Sequence, residues 1–281
     1  MKGVKLMAKK FKIKLFVSGI VVLCAGILIY QLLWGKLFPY SPVVIGFSKH
    51  ELPNSVIYIQ NGAVYNDLGK IDTLIRPVEE FHQLKFVKKP RIFVFLDSAN
   101  YIQRSTSKAR FCTFYDNTLV ISPWALKESE EGKISLVIYL KHELSHVLLM
   151  QHMGILNAYK YPEWLLEGIA VYSTNQMGTS FYPGKEETYS LIRKGIFMPP
   201  EYFKTGKEDE IKLDVKFRIT FMYSEFACIV DYLVTTYGKD KLLNYMKELF
   251  KDSDNDKVFN RIYGINFHEC ISDFRNKIKS E

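Results

Sequence analysis

No Cys-x-x-Cys pair occurs in the 281 residues, and cysteine itself is scarce: Cys24, Cys112, Cys228 and Cys270. The spacing excludes thiolate zinc modules and thioredoxin-like redox chemistry. Cys24 lies in a long apolar run, which leaves three cysteines outside it, an odd number that allows at most one bridge and one free thiol. A disulfide-stapled scaffold is therefore excluded. Internal repeats and low-complexity tracts are also missing, so the chain reads as one main domain. Acidic residues are absent from residues 1–14, which hold Lys2, Lys5, Lys9, Lys10, Lys12 and Lys14. Setting these six aside, the 38 basic residues fall to 32 against 30 acidic ones. The net charge of +8 thus describes a tail, and no nucleic acid is expected as a partner.

Charge is absent altogether from residues 15–34, LFVSGIVVLCAGILIYQLLW. Twenty helical residues span roughly 30 Å, the thickness of a bilayer's hydrocarbon layer. A buried soluble helix of that length would show a polar stripe, and almost none is present. Tyr30, Trp34 and Tyr40 gather at the far end, where aromatic rings favour the membrane interface. A transmembrane anchor over 15–34 is expected, preceded by a cytoplasmic basic tail (1–14), with the rest of the chain extracytoplasmic at the cell membrane. The competing reading is a cleaved signal peptide, but the apolar stretch is long and no small-x-small cleavage site follows it.

Pro39, Pro42 and Pro53 make residues 35–54 read as an extended stalk. Beyond it, 55–60 and 91–96 read as strands, 66–83 as helix through Leu68, Ile71, Ile75, Val78 and Phe81, and 111–122 as a hairpin turning at Asp116-Asn117. Helices are expected over 133–152, 162–176, 215–237, 239–251 and 266–279. Strands first and helices later predict an α+β fold for residues 55–281.

Within that helical half stands KHELSHVLLMQH, residues 141–152. His142 and His146, four apart on a helix, share one face and can reach one metal at about 2.0–2.1 Å. Glu143 lies about 100° round the helix from His142, poorly placed as a ligand but well placed to take a proton from a metal-activated water. His152 is a possible third ligand only if the chain turns sharply after His146. The protease class with a histidine at that spacing has glycine where this chain has Leu149. With no breaker before Gly154 the helix is expected to continue, carrying His152 roughly 9 Å past His146. Glu167, in the otherwise apolar YPEWLLEGIAVY (161–172), is the better candidate, because a buried carboxylate needs a cation. Gly168 and Ala170 would let its helix approach another closely.

HELSH followed, after twenty intervening residues, by the glutamate of EWLLEGIAVY resembles the gluzincin metallopeptidases, the clan of thermolysin and of the aminopeptidase N branch. The similarity extends over residues 85–281. RIFVFLDSANYIQRST resembles their opening strand and helix, DNTLVIS their edge strand above the active site, and YSEFACIVDYLVTTYGKDKLLNYMKEL their C-terminal helices. The resemblance implies a zincin-like domain with a small sheet and a mainly helical half. It implies Zn²⁺ held by His142, His146 and Glu167, with Glu143 as general base. Tyr223 matches a tyrosine that stabilises the tetrahedral oxyanion in the aminopeptidase branch, though it could equally be a core residue. Two features depart from the pattern: no Gly-x-Met-Glu-Asn exopeptidase motif is present, and Val171 stands where the thermolysin branch has an aspartate that orients a histidine. Glu225, in SEFAC, could mimic the ligand of membrane-embedded zinc proteases, a class whose multiple spans are missing here. The expected function is a membrane-anchored zinc endopeptidase acting on a peptide or protein, with the lipid bilayer as a partner through residues 15–34. The alternative is a non-catalytic zinc-containing binding or sensor domain of the envelope.

Overall fold

The structure is a computed structural model and describes residues 2–62, 68–115 and 117–280. The apolar N-terminal run lies inside one helix, α1 (Lys2–Leu33). Its Ile13–Leu33 portion, 21 residues with none of its best window buried, is the one helix among the described residues long and apolar enough to cross a membrane.

Residues 35–54 do not form a free stalk. A single 3-10 turn, Phe38–Tyr40, buries Phe38 completely, and β1 (Phe47–Glu51) pairs antiparallel with β2 (Val56–Gln60). The prolines were read as keeping the segment extended. Phe38 and Phe47 instead pack on Phe93 and Phe95, ring centres 5.0–6.2 Å apart, and draw the segment onto the sheet.

Two short helices follow, α2 (Leu68–Thr73) and α3 (Ile75–His82), divided at Leu74 where one continuous helix was expected. Residues 66 and 67 of that reading lie outside the described residues. Next come β3 (Arg91–Val94), α4 (Ser98–Arg104), β4 (Phe111–Phe114) and β5 (Thr118–Ile121). The hairpin β4–β5 forms as expected; Asp116, named for its turn, is outside the described residues. The five strands run in the order β1-β2-β3-β5-β4, with β2, β3 and β5 parallel and the two outer strands antiparallel. DNTLVIS therefore supplies an inner strand, β5, and not the edge; the free edge on that side is β4.

Strand periodicity assigns side chains to two faces. Ile57, Ile59, Ile92, Val94, Leu119 and Ile121 pack beneath the sheet on α6 (Leu136–His152). On the other face Phe93 and Val120 pack with Phe38, Phe95, Tyr101 and Phe114. Before α6 runs α5 (Pro123–Glu130), begun by Ser122, whose side chain accepts from the Ala125 N–H. After α6 come α7 (Ile155–Ala158), α8 (Glu163–Ser173), α9 (Lys185–Arg193), α10 (Arg218–Tyr237), α11 (Lys239–Glu248), α12 (Asn255–Tyr263) and α13 (Phe267–Ser280). α5, α7, α9 and α12 are not among the helices expected from the sequence. α7 is too short for a helical period; α9 and α12 are amphipathic but only nine residues each, below the window in which periodicity is decisive.

The fold is thus mixed α/β, a small sheet followed by a helical half with its own core. The tightest approach is between α8 and α10. A Cβ added to Gly168 would stand 2.8 Å from the Phe226 carbonyl oxygen, so only glycine permits this contact.

Candidate metal centre

Three ionisable side chains converge where α6 meets α8. Ser135 caps α6, its hydroxyl accepting from the Ile138 N–H. The helix then runs unbroken to His152, as the lack of a breaker implied. His142 and His146 face the same way, their Nε2 atoms 3.0 Å apart. From α8, Glu167 brings Oε2 to 3.2 Å from His142 Nε2 and 3.4 Å from His146 Nε2. All three residues are buried.

These distances test whether an ion fits. Two ligands each about 2.0–2.1 Å from a tetrahedral zinc stand about 3.3 Å apart. The measured separations bracket that value. The donor set, two imidazole nitrogens and one carboxylate oxygen, also suits zinc with an open fourth position. His142 donates from Nδ1 to Gln176 Oε1 at 2.8 Å, which leaves the Nε2 lone pair free to face the cluster. His146 Nδ1 is buried with no hydrogen-bond partner among the described residues.

Burial works against a charged Glu167, yet the two imidazoles together outweigh it and hold the carboxyl well below its ordinary range. Its other oxygen, Oε1, accepts from the Tyr223 hydroxyl at 2.8 Å. The Lys204 ammonium lies 3.8 Å from Oε1 and bonds Glu163 at 2.8 Å. Glu143 stands beside the cluster without joining it. Its Oε2 accepts from the Thr113 hydroxyl of β4 at 2.6 Å. A cleft of about 600 Å³ opens over these groups, lined by Arg110, Thr113, Glu143, Leu166, Tyr182 and Tyr223 among others.

The residues expected at the site, His142, Glu143, His146, Glu167 and Tyr223, are thus brought together, with Tyr223 on Glu167. His152 points away and bonds the Lys85 carbonyl oxygen at 2.8 Å. Glu225 is also elsewhere. It is fully buried on α10, where both carboxylate oxygens accept from the Met198 N–H, and burial pushes its carboxyl well above the usual range. Sequence reasoning missed Gln176, Thr113 and Lys204. Gln176 follows the C-terminus of α8, its N–H bonded to the Val171 carbonyl. It supplies the histidine partner that Val171 cannot. Thr113 carried a weak signal as a polar residue sharing one face of the predicted hairpin with apolar Phe111; Lys204, on a loop, carried none.

No protein-family model matches the chain, and no curated protein matches it in sequence.

Proposed function

We propose that the protein is a membrane-anchored zinc endopeptidase of the gluzincin type, its zincin-like domain lying outside the cytoplasm. The observation that carries this reading is the pairing of a closed three-donor cluster with a carboxylate held just outside it. A purely structural metal site has no use for Glu143, whereas hydrolysis needs a base at that place. Zinc, when bound, supplies Lewis acidity and a water of near-neutral pKa. Glu143 takes the proton of the attacking water and passes it to the leaving amine. The Thr113 hydroxyl fixes which carboxylate oxygen does so. Tyr223 offers a hydroxyl at the cleft, and we assign it stabilisation of the oxyanion, for which its one proton turns from Glu167 to the substrate. β4, a free sheet edge running along the cleft, offers backbone groups to an extended peptide.

Six lysines ahead of the apolar segment favour a cytoplasmic N-terminus and an extracytoplasmic domain. The deciding experiment measures zinc in the purified chain and hydrolysis of a peptide library by the parent and Glu143→Gln. About one zinc per chain in both, with hydrolysis only by the parent, is expected. Zinc without hydrolysis by the parent would favour a binding domain; absence of zinc at neutral pH would end the enzyme reading.

A further inference from the structure

α1 is fastened to the domain beside the cleft. The Lys36 ammonium bonds the carbonyl oxygens of Ile102 and, at 2.6 Å, Ser105, at the C-terminal end of α4. The Gln103 amide donates to the Tyr30 hydroxyl at 3.4 Å. Two residues past Ser105, Ser107 lines the cleft. The point where the chain leaves α1 and the rim of the candidate active site are therefore neighbours.

A second apolar feature lies on the same side. Tyr40 packs edge-on against Phe114 of β4, ring centres 5.8 Å apart. The next residue, Tyr115, donates its hydroxyl to the Met153 carbonyl oxygen at 3.0 Å, one residue before the Gly154 that begins α7. Tyr159, just beyond α7, is close enough to Tyr40 to add to the effect of burial in raising its hydroxyl pKa.

α7 itself turns its apolar side outward. Ile155, Leu156 and Tyr159 are 51%, 75% and 85% exposed, and at 100° per residue they share an arc of about 100°. The other side is fixed to the domain, with the Asn157 amide donating to the Phe250 carbonyl oxygen at 2.9 Å. Trp34, Leu37 and Ile102, also exposed, extend this apolar set around the end of α1. A soluble surface rarely gathers large apolar groups in one patch. Next to a membrane helix, one aromatic and two aliphatic side chains on a helical arc are the composition of an interfacial contact.

We propose that this face rests in the headgroup region of the bilayer that α1 crosses, and that the cleft consequently takes juxtamembrane segments of membrane-anchored polypeptides. The substrate half rests on the peptidase reading; the membrane half rests on the reading of α1 as a span and on the exposure of this face. A weak docking contact suffices, because α1 already holds the domain at the surface.

The test uses the full chain in phosphatidylcholine vesicles whose acyl chains are brominated near the headgroup. Tryptophan placed by Leu156→Trp should lose at least twice as much fluorescence as one placed by Val137→Trp, at the opposite end of α6. Equal loss overturns the proposal. So does an unquenched Leu156→Trp in a concentration-dependent dimer, which would assign the face to a second copy. In the same vesicles one peptide is supplied either free or on a short lipid tether. Leu156→Glu should cut cleavage of the tethered form at least fivefold and leave the free form unchanged; equal effects on both forms overturn the substrate assignment. Failure of the parent to cleave either form would remove the peptidase reading, and the quenching would still decide the membrane contact.

Discussion

Thr113 and Glu143 join the sheet edge to the helix beneath it: the Thr113 hydroxyl donates to Glu143 Oε2 at 2.6 Å, thirty residues apart in sequence. The bond leaves one carboxylate oxygen for proton transfer and ties its position to the strand that borders the cleft. Thr113→Val keeps the shape and removes the donor. It is expected to lower kcat roughly tenfold, a fraction of the 10²–10⁴ that a positioned base supplies, with zinc content unchanged. Steady-state kinetics with metal analysis checks this, and loss of zinc in the variant would show that Thr113 acts on the cluster instead.

Glu167→Ala and His152→Ala separate the two candidates for the third ligand. Glu167 approaches both imidazoles within 3.4 Å, so its removal is expected to strip zinc at micromolar chelator. His152 is occupied by the Lys85 carbonyl, and His152→Ala should leave zinc in place. The reverse pattern, read by elemental analysis, would contradict the assignment.

Gln176→Ala removes the acceptor for His142 Nδ1. A lost partner of this kind typically costs 10–100-fold in metal affinity, and competition with a chromophoric chelator should register a loss in that range. Unchanged affinity would mean that the ring is oriented by packing alone.

Gly168→Ala should destabilise the fold by about 1–3 kcal/mol, because the new methyl meets the α10 backbone at 2.8 Å and backbone cannot yield as a side chain can. Denaturant unfolding measures it. Full stability in the variant would imply that α8 and α10 separate at little cost.

His82 predicts an acid sensitivity that persists without metal, because burial is its first cause and the His146 charge adds to it. It is fully buried, bonded to Ser145 Oγ at 2.8 Å, and burial lowers its pKa from 6.5 to about 3. Between those values the unfolded chain takes up a proton that the folded chain refuses. The contribution is complete above about pH 6.5 and is lost as the pH falls toward 3, on the order of 5 kcal/mol at the acid end. In chelator-treated protein, His82→Gln should flatten the pH dependence of Tm across this window. An unaltered slope would place the titrating group elsewhere.

Much of this was legible in the chain because local rules governed it. The charge-free run, the alternating strands and the His142/His146 spacing depend on periods of 2 and 3.6 residues that a reader can count. The Gly168–Phe226 approach was half legible, since a small residue announces closeness but not its partner. The difference over residues 35–54 had another origin: prolines argue for extension, while the packing of buried Phe38 and half-buried Phe47 depends on aromatic partners more than forty residues away. Naming β5 as the edge strand failed for a similar reason, since strand order is set by crossovers that no single segment records. Gln176 and Lys204 reach the site from loops, where side-chain direction follows tertiary contacts.

The three candidate ligands come from two elements. α6 packs on both the sheet and α8, whereas α8 and α10 build most of the helical core. Movement of α8 relative to α6 would change the distances from His142 and His146 to Glu167. An ion gripping all three would act as a rivet across that seam, coupling metal occupancy to the stiffness of the whole domain. Amide hydrogen exchange along α8 would then slow on loading, far from the metal as well as near it, and a chelator would loosen the domain before it unfolded it.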